Sequence, residues 1–186
     1  NKLNDIEHLI DDIHQLAQSD IGVLTLNYEM FNANQGFSHW QREFEHFGEI
    51  NQLRFSMKNG LPNDFFIKID RDKIKQVITN LLANSQKYTD KPGKIDFAIF
   101  VKNNNLCITI EDSVPGVSNE ELTHIFDRLY RVESSRSRDT GGSGLGLAIC
   151  KSLIEAHKGE IYAQQSNLGG LKIIIKIPVQ PFHRVN

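Results

Sequence analysis

The sequence predicts an α+β fold: a two-layer α/β sandwich whose mixed, mostly antiparallel sheet is covered by helices on one face. Three observations carry this expectation. Six short runs, near 53–57, 65–69, 94–102, 106–111, 160–164 and 171–177, alternate apolar and polar side chains as strands do. Amphipathic helical segments interrupt them in mixed order, and Lys102-Asn103-Asn104-Asn105 reads as a hairpin turn between two strands.

Composition removes several function classes. The 186 residues include 21 Lys and Arg against 23 Asp and Glu, a net charge of −2, too balanced for a generic nucleic-acid groove. The longest apolar run, 97–101, is far shorter than the roughly 20 residues that span a bilayer. The start, Asn1-Lys2-Leu3-Asn4-Asp5, has no secretory pattern and no initiating Met, so the chain is expected to be a piece of a longer protein. Cys107 and Cys150 stand far apart in apolar stretches, as core thiols do.

The first helix places Leu3, Ile6, Ile10, Ile13 and Ala17 on a heptad seam flanked by Glu7, Asp11, Asp12 and Asp20. A seam this short suits the tail of a longer, pairing helix, or else an ordinary amphipathic surface helix. A turn at 19–22 leads to an irregular stretch and a second helix burying Phe37, Trp40, Phe44 and Phe47, which Gly48 should end. Asp70 is the expected N-cap of a helix to about Tyr88. Ser118 and Glu121 form a capping-box pattern for a short helix to about Phe126. The segment 131–144 lacks periodicity, carries Arg131, Arg136 and Arg138, and reads as a mobile functional loop. The helix from about Leu145 should close at His157-Lys158-Gly159, with the glycine as cap.

Three elements carry chemistry. On the helix from Asp70, Ile74, Val77, Ile78, Leu81 and Ser85 share one face, and Lys73, Gln76, Asn80, Asn84 and Lys87 another. Asn84, at the border, could offer a neutral oxygen to a divalent cation, and Lys87 could reach a phosphate; a plain solvated polar face is the competing reading. Asp112 continues the buried phase of Leu106, Ile108 and Ile110, so its carboxylate needs a donor such as a ligand amine or an ordered water; a turn-capping Asp before Pro115-Gly116 is the alternative. Finally, Gly141-Gly142-Ser143-Gly144-Leu145-Gly146 runs into an apolar helix, so that free amides and the positive dipole end suit a polyphosphate. It is neither a Walker loop nor a strand-fed dinucleotide fingerprint.

Together these elements resemble the catalytic, ATP-binding domain of sensor histidine kinases, in the superfamily that includes gyrase and a heat-shock chaperone. The resemblance covers about 37–178. Asn80-Leu81-Leu82-Ala83-Asn84-Ser85-Gln86-Lys87-Tyr88-Thr89 is similar to the asparagine box, and Asp112-Ser113-Val114-Pro115-Gly116 to the first glycine box. Ile125-Phe126-Asp127-Arg128-Leu129-Tyr130-Arg131 resembles the phenylalanine box, and 142–146 the second glycine box. The lid and its following helix look closest to the envelope-stress kinases. One departure is Ser113-Val114 where the family has Asn-Gly, which stiffens the turn while keeping the carboxylate and last glycine.

By that resemblance, Asn84 holds Mg²⁺ with Asn80 beside it, Lys87 and Arg131 approach the phosphates of ATP, and Tyr88 packs near the nucleotide. Asp112 accepts the adenine amine and Gly116 leaves room for the ring. Gly142, Gly144, Leu145 and Gly146 shape the phosphate side and hinge a mobile ATP lid. Catalysis is expected to rest on Asn80, Lys87 and Arg131. Residues 1–22 resemble the end of the dimerisation hairpin's second helix, and 23–186 the catalytic domain. None of the seven histidines, His8 and His14 included, has the acceptor context, so the acceptor is expected upstream and this piece should not autophosphorylate alone. The implied whole is a homodimer that passes phosphate to a response regulator, with this part on the cytoplasmic side of an inner-membrane sensor and no nucleic acid involved. An ATP-hydrolysing clamp would need a base where Asn80 stands, and an amide cannot act as one. A nucleotide-binding regulator without transfer stays open.

Overall fold

The computed structural model describes residues 2–50, 52–132 and 143–179. Gly142, most of the expected lid, and the side chains of Leu3, Glu7, His8 and Phe47 lie outside the described residues. The elements run α1 (Lys2–Asp20), β1 (Glu29–Asn32), α2 (Ala33–Ile50), β2 (Leu53–Asn59), β3 (Phe66–Ile69) and α3 (Arg71–Tyr88). They continue with β4 (Gly93–Lys102), β5 (Asn105–Ser113), α4 (Asn119–His124), α5 (Gly146–Ala156), β6 (Glu160–Gln165) and β7 (Gly169–Pro178).

The main sheet has the order β2-β4-β5-β7-β6, with β2 parallel to β4 and the other pairs antiparallel. Alternation along each strand sends Ile95, Phe97 and Ile99, Leu106, Ile108 and Ile110, and Ile173, Ile175 and Ile177 to one buried face. Register stacks them in rows, with Phe97 opposite Ile110 and Ile110 opposite Ile173. Helices α2, α3 and α5 cover this face. Phe37 lies 5.0 Å from Trp40 and 6.3 Å from Phe97 between ring centroids, which seats α2. Ile74, Val77, Ile78 and Leu81 on α3 meet Ile149 and Leu153 of α5 in the same core. Each such side chain contributes about 1.5–3 kcal/mol of burial.

Local signals behave as expected at several ends. Asn103 and Asn104 both take positive φ, 49° and 59°, in the two-residue loop between β4 and β5. Ser118 and Glu121 exchange both bonds of the capping box. Asp70 Oδ1 accepts from the Lys73 N–H at 3.0 Å and Oδ2 from the Asn27 N–H at 2.8 Å. The Asp70 N–H donates to His157 Nε2 at 3.1 Å, and His157 Nδ1 donates to the Leu153 carbonyl at 2.7 Å. This neutral imidazole ties the start of α3 to the end of α5.

Other ends differ from expectation. The stretch read as irregular contains β1, which pairs antiparallel with β3 in a separate two-stranded sheet. Helix α2 does not stop at Gly48 but runs on to Ile50, and the left-handed residue that turns the chain is Gln52 (φ 57°). Helix α4 stops at His124 rather than near Phe126. At the end of α5 the left-handed position belongs to Lys158 (φ 60°), not Gly159. The Gly159 N–H donates to the Ile154 carbonyl and the Lys158 N–H to that of Glu155, the paired bonds of a Schellman motif. Gly159 answers to space instead: a Cβ there would meet the Lys176 carbonyl at 2.6 Å. The α1 seam faces outward, with Ile6, Ile10 and Ile13 exposed while Leu16 is 4% exposed and packs in the core.

Burial holds the His157 pKa below its ordinary value, against smaller opposing effects from the Leu153 carbonyl and Asp70. The unfolded chain therefore binds a proton that the folded chain refuses as pH drops through about 6.5, so this group favours folding above that pH and loses the contribution below it. Urea unfolding should show stability falling between about pH 7.5 and about pH 5.5, and His157→Gln, weaker at neutral pH, should lose less over that window. Equal pH slopes in the two proteins would remove His157 as the source.

Candidate functional site

A cavity of about 330 Å³ opens beside α3, at the end of β5 that points toward Pro115. Its walls come from α3, the 115–117 turn, the 125–132 segment, the start of α5, Leu171 of β7 and Asp12 of α1. The helical period that buries Ile74, Val77, Ile78 and Leu81 turns Asn80, Ala83, Asn84, Lys87 and Tyr88 toward the cavity.

Asp112 is 5% exposed and is the acidic group at the strand end of this cavity. Its partners are protein groups, where the sequence suggested a ligand amine or water. The Ser85 hydroxyl donates to Oδ2 at 2.6 Å and the Leu171 N–H to Oδ1 at 2.7 Å. The second donor exists because the β5–β7 ladder slips. Glu111 pairs with Lys172 but Ser113 pairs with Gly169, so Gly170 and Leu171 together face Asp112. That bulge takes the Leu171 amide out of the ladder and aims it at the carboxylate. Gly170 permits the approach: a Cβ there would overlap Asp112 Oδ1 and the Ser113 carbonyl. Burial raises the Asp112 pKa, Ser85 and Leu171 hold it down, and Glu111 adds a smaller upward push.

Also on α3, the Asn80 side chain holds the pKa of the Cys150 thiol down somewhat, but burial outweighs it and pushes that pKa up to about 12. Cys150 Sγ donates in turn to the Val77 carbonyl at 3.6 Å, so the thiol braces α5 against α3 as a neutral group. Lys87 Nζ stands 4.8 Å from the Tyr88 ring centroid, a cation resting on the cavity wall.

The opposite wall is joined through backbone. The Leu129 N–H donates to the Gly144 carbonyl at 3.0 Å, and Gly144 (φ 71°) lies so close to Leu129 that a Cβ would stand 3.0 Å from it. This places Tyr130, Arg131 and Val132 against the start of α5. Among the described residues no side chain caps α5 at Leu145, and Gly146 and Leu147 face the cavity with the positive helix end.

Asn80, Asn84, Lys87, Tyr88, Asp112, Gly116, Arg131, Gly144 and Gly146 therefore share one cavity wall. Leu145 does not: its side chain is buried in the core, and its N–H donates to Ser143 Oγ at 3.2 Å. The structure adds Ser85, Gly170, Leu171 and Asp12 to the residues around the cavity. Ser85 lay on the apolar face of a helix, where a lone hydroxyl facing a predicted buried carboxylate was the available signal. Gly170 falls between the closing strand runs 160–164 and 171–177, where a glycine reads as part of a turn.

Comparisons with known proteins bear on the family and the fold. The family model described as histidine kinase-, DNA gyrase B-, and HSP90-like ATPase matches residues 69–181. Over 176 residues the chain is 38% identical to the signal transduction histidine-protein kinase BaeS of Escherichia coli (strain K12), covering 92% of this chain and 36% of that protein. The chain spans about a third of the length of such curated relatives. Among solved structures, Acinetobacter baumannii histidine kinase AdeS superposes with a TM-score of 0.75 at 27% identity, over 97% of this chain and 82% of that one. The histidine kinase ThkA, solved in complex with the response regulator protein TrrA, has a TM-score of 0.73 at 24% identity, over 96% of this chain and 49% of that one.

The bulge geometry is directly testable. Gly170→Ala forces Asp112 or the bulge to move, and should lower unfolding free energy by about 1–3 kcal/mol in chemical denaturation. A change within about 0.5 kcal/mol, the usual range for a surface site, would show that the bulge does not constrain Asp112.

Proposed function

We propose, from the premise that this chain belongs to the histidine kinase-, DNA gyrase B- and HSP90-like ATPase family, that it is the ATP-binding catalytic part of a two-component sensor histidine kinase. The observation that supports this reading is the convergence of an amide-bearing helix face, a buried carboxylate and an uncapped helix start on one cavity.

Asp112 has used one acceptor site on each oxygen, and a carboxylate offers about four, so it retains capacity for the adenine amine. In this reading Lys87 and Arg131 approach the phosphates as cations and the start of α5 as a dipole, a role supported by their lining the same cavity as Asp112. Gly116 borders the adenine end and Tyr88 packs beside the nucleotide. Among the described residues no group of three His, Cys, Asp or Glu could cage a metal. Amide oxygens with few carboxylates fit Mg²⁺ that arrives on phosphates and keeps waters, and Asn84 would hold it. When bound, Mg²⁺ supplies charge neutralisation between the phosphates.

In this reading the γ-phosphoryl group passes to a histidine of an upstream dimerisation hairpin. This chain contributes positioning and charge rather than a base. Residues 1–22 are the end of that hairpin, and the outward Ile6, Ile10 and Ile13 are the seam its partner helices cover in a homodimer. A response regulator takes the phosphate onward, as the ThkA complex with TrrA suggests. No helix of the described residues is long and apolar enough to cross a membrane. We place this part on the cytoplasmic side of an inner-membrane sensor, joined to it by upstream segments.

Calorimetric titration with ATP and Mg²⁺ tests the site. Asp112→Asn should fold and weaken binding by about 1.5–3 kcal/mol, the scale of a hydrogen bond to a charged group. Asn84→Ala should weaken the Mg²⁺ complex, and a separate acceptor hairpin should take label from γ-labelled ATP. Unchanged affinity in both variants, or tight binding with no label on the hairpin, would overturn the site or the transfer respectively.

A further inference from the structure

Helix α3 carries two aliphatic hydroxyls that behave differently. Thr79, on the exposed side, donates to the Lys75 carbonyl four residues back at 3.0 Å, the ordinary outlet for a hydroxyl inside a helix. Ser85, 5% exposed, donates across to the sheet instead, to Asp112 Oδ2 at 2.6 Å. The other oxygen, Oδ1, accepts the Leu171 N–H at 2.7 Å. A backbone amide only donates, so Oδ1 is an acceptor whatever the charge of the carboxyl, and Oδ2 is the oxygen on which a proton would sit. The Ser85 hydrogen already points at that oxygen. Burial disfavours the charged form of Asp112, Ser85 and Leu171 favour it, and Glu111, itself paired with Lys172 at 3.3 Å, adds a smaller push against it.

Charge and orientation decide which base this carboxyl can meet. Ionised, it only accepts, which suits the exocyclic amine of adenine and sets lone pair against lone pair when an oxo group stands at the same ring position. Neutral, it gains an O–H that donates to such an oxo group.

We propose that Ser85 is a positioning residue for base selection: its hydroxyl keeps Asp112 oriented and acceptor-only, so that the cavity takes an amino purine nucleotide and rejects its oxo counterpart. The inference rests on the ATP-binding reading above and assigns the choice of base to a residue that acts through Asp112. Asp112 lines the cavity, and Ser85 supports it from the buried face of α3. A merely structural role, such as seating α3, would affect both nucleotides alike, because they share ribose and triphosphate.

The test is calorimetric titration of the intact chain with ATP and with inosine triphosphate, each in excess Mg²⁺, read as the ratio of the inosine triphosphate Kd to the ATP Kd. The wild-type ratio should exceed about tenfold, and Ser85→Ala should lower it by about tenfold, the scale of one hydrogen bond to a charged group. Ser85→Cys keeps the site filled but offers only a weak S–H donor, and its ratio should fall with that of Ser85→Ala. Thr79→Ala removes a hydroxyl from the same helix without touching Asp112 and should leave the ratio within about twofold. A wild-type ratio near one, an unchanged ratio in the Ser85 variants, or an equal fall in Thr79→Ala would overturn the proposal. Wild-type protein that binds neither nucleotide would instead overturn the ATP-binding reading itself.

Discussion

The burial of one carboxylate governs the cavity. Taking Asp112 out of water disfavours its charged form, and the surroundings are shaped to answer that cost. Ser85 faces the sheet on the same side of α3 as Ile74, Val77, Ile78 and Leu81, and that rotation turns Asn80, Asn84 and Lys87 to the cavity. β7 must bulge to free the Leu171 amide, and position 170 must lack a Cβ for that bulge to close over the carboxylate. Helix phase, strand register and one glycine thus meet at a single desolvated group.

A second set of buried polar contacts joins α3 to α5 without placing a charge between them. His157 is neutral, accepting from the Asp70 N–H and donating to the Leu153 carbonyl, and Cys150 is a protonated thiol donating to the Val77 carbonyl. Each is satisfied at close range, which is the condition under which buried polar groups add rigidity rather than strain. They fix the two helices whose ends meet the cavity from different sides: α3 with amides and Lys87, α5 with its uncapped amino end.

Helix α1 has two faces with different obligations. The face carrying Asp12, Gln15 and Leu16 belongs to the catalytic unit, while Ile6, Ile10 and Ile13 leave an apolar seam facing outward. A helix that is a wall of the cavity on one side and an uncovered seam on the other links whatever covers the seam to the site. That link runs through rigid-body placement, since Leu16, Gln15 and Asp20 contact three separate parts of the catalytic unit.

Features under local chemical control were legible from residue order alone. The Asp70 cap, the Ser118–Glu121 box, the Asn103–Asn104 turn, the α3 phase and the buried phase of Asp112 each depend on residues within a few positions of one another, and all are present. Only the tertiary structure decided what distant segments supply. β1 exists because β3 pairs with it from more than thirty residues away, and no periodicity in four residues announces that. Ser85 and Gly170 acquire meaning only when the sheet brings them to Asp112, and Lys158 takes the left-handed turn because Gly159 is needed against Lys176. Leu145 turned inward and Asp12 became a wall residue for the same reason. Side-chain period sets which face a residue occupies, but what that face meets is decided by packing between elements far apart in the chain.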